Sequence, residues 1–244
     1  MLAGNGQKNL LMVRRLLGAL GVLAIASSAG AQTPLRDVKV PRLLIPKQLP
    51  PCAVLQVINH LEATAGRPIS LEVSREETSC WSQVSGRPTP FVGAELASVG
   101  DILDQLLASD RHYRWQDMDG VVVVRPIAAW RENDHFLHRR VAEFTVVDGH
   151  LANALAAISV SLHPWAFGNP DFLLVATPML PPIQTRFSGG TVLDAVNAIV
   201  ASRDDLGWTV LWCPNGSGPR IHIVSRGHAT LVGAAPGNPQ CTEK

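Results

Sequence analysis

The residues with the clearest capacity for chemistry are two histidines three positions apart, His135 and His138. On a helix this spacing would place both imidazole rings on one side, where Glu132 or Asp134 could complete a metal site. The simpler interpretation is a polar linker that carries two solvated rings, and this is the one we predict. The sequence therefore predicts no metal site.

Acidic residues near two helix starts are the next candidates, because paired carboxylates can act as general acid and base. Asp101 and Asp104 lie three positions apart, and Asp194 occupies a sequence that matches the surroundings of Asp101. A hydroxyl residue, Ser98 or Thr191, stands three positions before Asp101 or Asp194, which is a helix N-cap signature. Carboxylates also favour the positive end of the helix dipole. These aspartates are therefore predicted to cap helices and not to catalyse a reaction.

Motifs that would announce an enzyme or a nucleic-acid-binding protein are missing from the sequence. The chain has no G-x-S-x-G, P-loop or G-x-G-x-x-G pattern. Its formal net charge is +1, and it has no basic run or stripe of alternating basic and aromatic residues. We predict a protein without catalytic residues and without a cofactor, and we expect no nucleic-acid partner.

The first 31 residues have the pattern of a secretory signal peptide. Lys8, Arg14 and Arg15 are basic, 16–26 is apolar, and Ala29-Gly30-Ala31 is a small-x-small cleavage site. The apolar run is shorter than the roughly 20 residues that span a bilayer. We therefore expect export to the periplasm with cleavage near Ala31 and no membrane span afterwards, while an uncleaved anchor stays an alternative.

The elements that must position the remaining residues occur twice in the same order, β-α-β-β-α-β-β. Ser98–Leu107 matches Thr191–Val200, 93 residues later, and Trp115 or Trp208 follows on the next strand. This predicts an α+β fold of two tandem modules, each with two helices packed on a short mixed sheet. The predicted divisions are a signal peptide (1–31), a first module (32–127), a linker (128–139), a second module (140–226) and a flexible tail (227–244).

The cysteine count is even, which suits an oxidising compartment. Cys52, Cys80, Cys213 and Cys241 allow three pairings. We favour Cys52–Cys80 and Cys213–Cys241, because each pair would then lie within one repeat or its tail. Free thiols remain the alternative, and the spacing matches no compact zinc site.

Part of the first repeat resembles a known family. Leu55–Val73, Val92–Trp115 and Val121–Val124 are similar to the secretin and TonB short N-terminal (STN) domain, and 141–225 matches it more loosely. The match includes the Ala65-Gly66 step. The resemblance implies a small two-layer domain in the periplasm, at the entrance of outer-membrane secretins or transducing receptors, where it contacts other proteins. It implies two tandem STN-like copies, the second diverged.

The six tryptophans divide into two groups. Those on the closing strands, Trp115, Trp208 and Trp212, are predicted to fill the cores. The others lie in predicted loops or linkers and are predicted to contact a partner if they are exposed. They are Trp81, Trp130 and Trp165.

These observations predict an exported periplasmic, non-enzymatic protein that contacts an envelope protein, such as a component of a secretin or TonB-dependent system. The contact surface is expected to be an open sheet edge, because small antiparallel modules leave such edges. The alternative is an envelope ligand-binding protein or enzyme, with a site between the modules lined by Trp130, His135, Phe136 and His138. A purely structural part of a larger assembly is a third hypothesis.

Overall fold

The structure is a computed structural model that describes residues 33–45, 49, 52–80, 92–161, 174–176, 182–212 and 219–225. The described residues from 34 to 225 belong to one compact unit. The predicted signal peptide and tail lie outside the described residues, as do Trp81, Trp165, Cys213 and Cys241. None of the helices among the described residues is long and apolar enough to cross a membrane.

The fold is mixed α+β, as predicted. The helices are α1 (Ala53–Ala65), α2 (Val99–Ser109), α3 (Ile127–Arg131), α4 (Leu151–Ser161) and α5 (Val192–Ala201), with 3-10 turns at Leu35–Asp37 and Phe136–His138. The strands are β1 (Lys39–Leu43), β2 (Ser70–Glu72), β3 (Val92–Ser98), β4 (Tyr113–Met118), β5 (Val121–Pro126), β6 (Arg140–Val141), β7 (Phe144–Gly149), β8 (Leu174–Ala176), β9 (Ile183–Phe187), β10 (Gly190–Thr191), β11 (Leu206–Trp212) and β12 (Pro219–Ser225).

Both predicted helix caps are confirmed, and both are capping boxes. At α2, the Asp101 N–H donates to Ser98 Oγ (3.0 Å) and the Ser98 N–H donates to Asp101 Oδ2 (3.3 Å). At α5, Thr191 and Asp194 make the same pair of bonds, at 3.2 Å and 2.8 Å. The hydrogen bonds from Ser98 lower the pKa of Asp101, so the carboxylate form is the one that caps.

Removing either cap should weaken folding by a measurable amount. Ser98→Ala and Thr191→Ala each leave a helix N–H without its side-chain acceptor, so each should cost about 1 kcal/mol in the free energy of unfolding. Urea denaturation measures this cost. Ser109→Ala is the matched control at the other end of α2, where the hydroxyl makes an exposed bond to the Gln105 carbonyl. Equal effects at positions 98 and 109 would contradict the capping assignment.

One six-stranded sheet combines strands from both halves of the chain, in the order β4-β5-β2-β11-β12-β8. β4–β5 and β11–β12 are antiparallel hairpins, whereas β5–β2 and β12–β8 are parallel pairs. The two halves meet where β2 runs parallel to β11. The separate short sheet expected for each half is therefore part of one shared sheet.

The strand pairing of the first half recurs in the second half. The β1–β3 ribbon is antiparallel and precedes a hairpin, and the β7–β9 ribbon has the same place in the second half. A further short pair joins β6 and β10. The repeated order of elements thus corresponds to a repeated pattern of pairing, although the halves share their central sheet.

Two hydrophobic cores lie on opposite faces of that sheet. Val122 and Val124 of β5 belong to the first core, with Leu103 of α2, while Val123 belongs to the second core, with Val196 of α5. Successive residues of a strand face opposite sides of a sheet. The helices α1 and α2 therefore cover one face, and α4 and α5 cover the other.

A disulfide bond joins Cys52 and Cys80, so this half of the predicted pairing is confirmed. Cys52 directly precedes α1 and adopts a left-handed backbone conformation, with φ of 67°, that non-glycine residues seldom adopt. Cys80 follows the short segment after β2. The bond therefore ties the start of α1 to the chain that leaves β2.

Glu62 near the end of α1 is expected to make the stability of the fold depend on pH. Its half-buried carboxyl accepts the Ile69 N–H at 2.7 Å, and burial raises its pKa from 4.5 to about 7. The folded state then holds a proton that the unfolded state releases between pH 4.5 and 7, so this contribution to stability is complete below 4.5 and lost as the pH rises through 7.

Glu62→Gln removes this titration and keeps a carbonyl acceptor for Ile69. The variant should gain stability over the parent protein as the pH rises. One pKa unit is worth about 1.4 kcal/mol, and because the carboxyl is only half-buried, solvent screening reduces the gain across that window to on the order of 2 kcal/mol. Thermal unfolding at mildly acidic and mildly alkaline pH measures the difference. A constant difference between the two proteins would refute the assignment.

Candidate functional site

A buried charged group, the Arg125 cluster, lies where the segment predicted to be a linker (128–139) meets the central sheet. It consists of Glu72 on β2, Arg125 on β5, and His135 and His138 of the linker, with Trp130 packed over the guanidinium at 4.6 Å. Arg125 is fully buried, and its Nε donates to Glu72 Oε2 at 2.7 Å. Because burying a charge is costly unless it is paired, the adjacent β2 and β5 strands each contribute one partner.

The hydrogen-bond partners assign both imidazoles as neutral. Nδ1 of His135 accepts the Leu137 N–H (3.2 Å) and an Arg125 N–H (3.1 Å), so the proton is on Nε2, which donates to Glu72 at 2.8 Å. Nε2 of His138 accepts from Arg125 at 3.2 Å, and Nδ1 donates to the Glu132 carbonyl at 2.8 Å. Burial lowers the pKa of His138, and the positive charge of Arg125 lowers it further.

The prediction of two solvated rings is wrong for His135, which is only 4% exposed. The ring of His138 is half-buried. The polar sequence around His135 does not indicate that this residue is buried, because its hydrogen-bond partners Glu72 and Arg125 come from distant parts of the sequence. Within the described residues no group of three acidic, histidine or cysteine side chains could hold a metal ion. Each imidazole nitrogen already has a hydrogen-bond partner in the protein, so the cluster fastens the linker to the sheet.

Trp130, His135, Phe136 and His138, the residues of the predicted inter-module site, lie close together. Their side chains pack against one another and against their neighbours. The rings of His135 and Phe136 are 4.6 Å apart, and Trp212 of β11 meets Phe136 edge-on at 5.9 Å. Trp130 is half-buried, and its Nε1 donates to the Arg114 carbonyl at 3.3 Å. Trp130 is thus the one predicted contact tryptophan that lies within the described residues, and it covers the Arg125 cluster.

A second feature is the open edge of β4, which is the last strand at one end of the described sheet. The Ile127 N–H donates to the His112 carbonyl at 2.8 Å, and Pro126, which has no N–H, lies opposite Tyr113. In an antiparallel pair, the backbone groups of successive residues face the partner strand and the open side in turn. The backbone N–H and C=O groups of Tyr113, Trp115 and Asp117 are therefore directed away from β5. No other described strand pairs with that side of β4.

A groove, here called the β4 groove, runs between this edge and α2. Trp115 stands half-buried in it and its Nε1 donates to Asp104 Oδ1 at 2.8 Å, while Arg36 pairs with Asp117 at 3.4 Å. The groove therefore combines apolar and charged side chains beside the edge of β4 that does not face β5. The lining includes Arg36, Asp104, Leu107, Ala108, Trp115 and Ile127.

Glu72, Arg125 and the β4 edge are not among the site residues that the sequence predicts. A charged residue inside or ending a short apolar strand is the signal that could have marked the first two, as in Ser70–Val73 and Val121–Arg125. Which strand lies at the sheet edge depends on long-range pairing, and no local pattern reports that.

No family model, curated protein or solved structure matches this chain. The likeness to the STN domain therefore rests on the residues quoted from the sequence and remains a prediction. A function can therefore be inferred only from the fold and the β4 groove.

Proposed function

We propose that this chain is an exported periplasmic, non-enzymatic protein whose two STN-like halves mediate protein–protein contact in an envelope secretion, transport or signalling system. The observation that carries the proposal is the open edge of β4 with its groove. A strand at a sheet edge presents unpaired N–H and C=O groups, and an extended segment of another protein can add to it.

The β4 groove supplies both parts of such recognition. Three residues, Tyr113, Trp115 and Asp117, offer their backbone groups to an incoming strand. The groove beside them would then receive alternate side chains of that strand, against Leu107 and Ala108 of α2. Main-chain bonds would provide affinity, and the side chains in the groove would provide selectivity.

The Arg125 cluster supports the ligand-binding alternative less well. Its carboxylate, guanidinium and imidazoles are engaged with one another, so a ligand would have to break buried charge-assisted bonds to enter. The β4 edge requires no such disruption.

Two single substitutions on α2 test the proposal. Ala108→Arg places a long side chain at the wall of the β4 groove, where Ala108 is exposed. Gln105→Arg is the control, because it makes the same change of charge on an exposed position of the same helix that is not among the lining residues named for the groove. Arginine is well tolerated in helices, so both variants should unfold within a few degrees of the parent protein.

The assay is cross-linking and capture of envelope proteins from periplasm by the tagged protein. We expect the parent and Gln105→Arg to capture the same envelope protein. Ala108→Arg should capture at least ten-fold less of that protein. Capture that is the same for all three proteins would place the contact elsewhere, and the absence of any reproducible envelope partner would overturn the proposed function.

A further inference from the structure

The junction between the two halves shows one way in which an edge of this type is filled. β2 runs parallel to β11, with Leu71 opposite Thr209 and Glu72 opposite Val210. The Val73 N–H donates to the Val210 carbonyl at 3.0 Å. The chain therefore closes the open side of its β11–β12 hairpin with a strand from its own first half.

The edge of β4 is the first-half counterpart of the β11 edge that β2 closes. The repeat of 93 residues aligns Trp115 with Trp208 and Asp117 with Val210. Each tryptophan lies opposite the matching position of the second hairpin strand, Val124 or Ile223. The backbone of Val210 is directed at β2, just as the backbone of Asp117 is directed away from β5 to the open side.

The other end of the described sheet is formed by the counterpart of β2. β8 runs parallel to β12 in the way that β2 runs parallel to β5. Ala176 lies opposite Ile223, as Leu71 lies opposite Val124. The chain thus has an edge that receives a strand at β4 and a strand of the donating type, β8, at the opposite end of its sheet.

We infer that a second copy of this chain adds its β8 in parallel to β4 and so repeats the β2–β11 junction between molecules. The internal register places Gln116 opposite a second copy's Ala176. This inference rests on the proposed function to the extent that β4 is the contact edge, and it identifies one partner for that edge.

The contact is heterologous, because it joins two different surfaces. Each added copy brings another free β4 edge and another β8, so the assembly can continue beyond a dimer. A contact between two β4 edges would instead stop at two copies. The size of the assembly therefore distinguishes the two geometries.

Sedimentation velocity of the mature, disulfide-bonded protein over a wide concentration range tests the inference. We expect the weight-average mass to rise with concentration past that of a dimer for the parent protein and for Gln105→Arg. Ala108→Arg should remain a monomer on its own. Because Ala108→Arg keeps its β8 but cannot receive a strand, an excess of it should end growth and lower the mass of parent assemblies.

Hydrogen exchange locates the contact on the chain. The Trp115 and Asp117 amides should gain protection as concentration rises, whereas the Gln116 amide, which faces β5, should be protected throughout. A protein that stays monomeric, that stops at a dimer, or whose association is insensitive to Ala108→Arg would overturn the inference. The proposed function would still be supported in each of these cases if the parent protein captured an envelope protein and Ala108→Arg did not.

Discussion

Replacement of Arg125 with methionine is expected to be among the most damaging single changes in the chain. It leaves the Glu72 carboxylate buried, with His135 as its one remaining hydrogen-bond partner among the described residues, and it removes the donor that both imidazoles accept from. Breaking a buried ion pair by removing one partner costs about 3–5 kcal/mol. Domains of this size are stable by only about 5–15 kcal/mol, so the variant should unfold at much lower urea concentration or fail to fold.

A double variant separates the loss of pairing from the loss of packing. Glu72→Met combined with Arg125→Met removes both charges and keeps apolar volume in their place, so it should recover most of the stability that Arg125→Met loses. Arg125→Lys retains the charge but cannot reach Glu72, His135, His138 and the Ala129 carbonyl at once, and should fall between the two. Urea denaturation of the parent protein, Glu72→Met, Arg125→Met and the double variant gives the coupling energy between positions 72 and 125.

If Arg125→Met alone proved as stable as the double variant, the charged pair would contribute nothing to holding the linker against the sheet. Exchange of the Leu137 amide, which donates to His135, provides an independent measurement of the linker. We expect this amide to exchange faster in Arg125→Met and to regain part of its protection in Arg125→Lys.

Local features of the fold could be predicted from the sequence because each depends on neighbouring residues. A hydroxyl residue three positions before an aspartate specifies the capping boxes at Ser98 and Thr191 through bonds within one helical turn. The position of Cys52 and Cys80 in one repeat predicts their pairing, and the structure contains this bond.

The sharing of one sheet could not be predicted in this way. It depends on β2 pairing with β11, a contact between strands more than one hundred residues apart, and the sequence of neither strand specifies its partner. The burial of His135 has the same origin, because its partners Glu72 and Arg125 come from two other strands. The sequence predicts a contact at a sheet edge, and which strand forms that edge depends on the same long-range pairing.

The two equivalent tryptophans, Trp115 and Trp208, should differ strongly in what they contribute to stability. Trp208 is fully buried in the second core, and its Nε1 donates to Oδ1 of Asn197 at 2.8 Å. Asn197 is also buried. Trp208→Ala should cost about 3–5 kcal/mol through the cavity that it creates. Trp208→Phe keeps most of the packing and should cost about 1–3 kcal/mol, because the Asn197 oxygen loses its donor.

Trp115 occupies the matching position of the first half, yet it is half-buried and bonds to the exposed Asp104. Trp115→Ala should therefore cost about 1–2 kcal/mol, since less apolar area leaves contact with the protein and Asp104 remains solvated. Urea denaturation of the four variants, including Trp115→Phe, tests this difference. Equal costs at the two positions would mean that the first-half tryptophan belongs to the core; a small cost at Trp115 together with lost capture of the envelope partner would mean that the repeat has kept this side chain for the β4 groove.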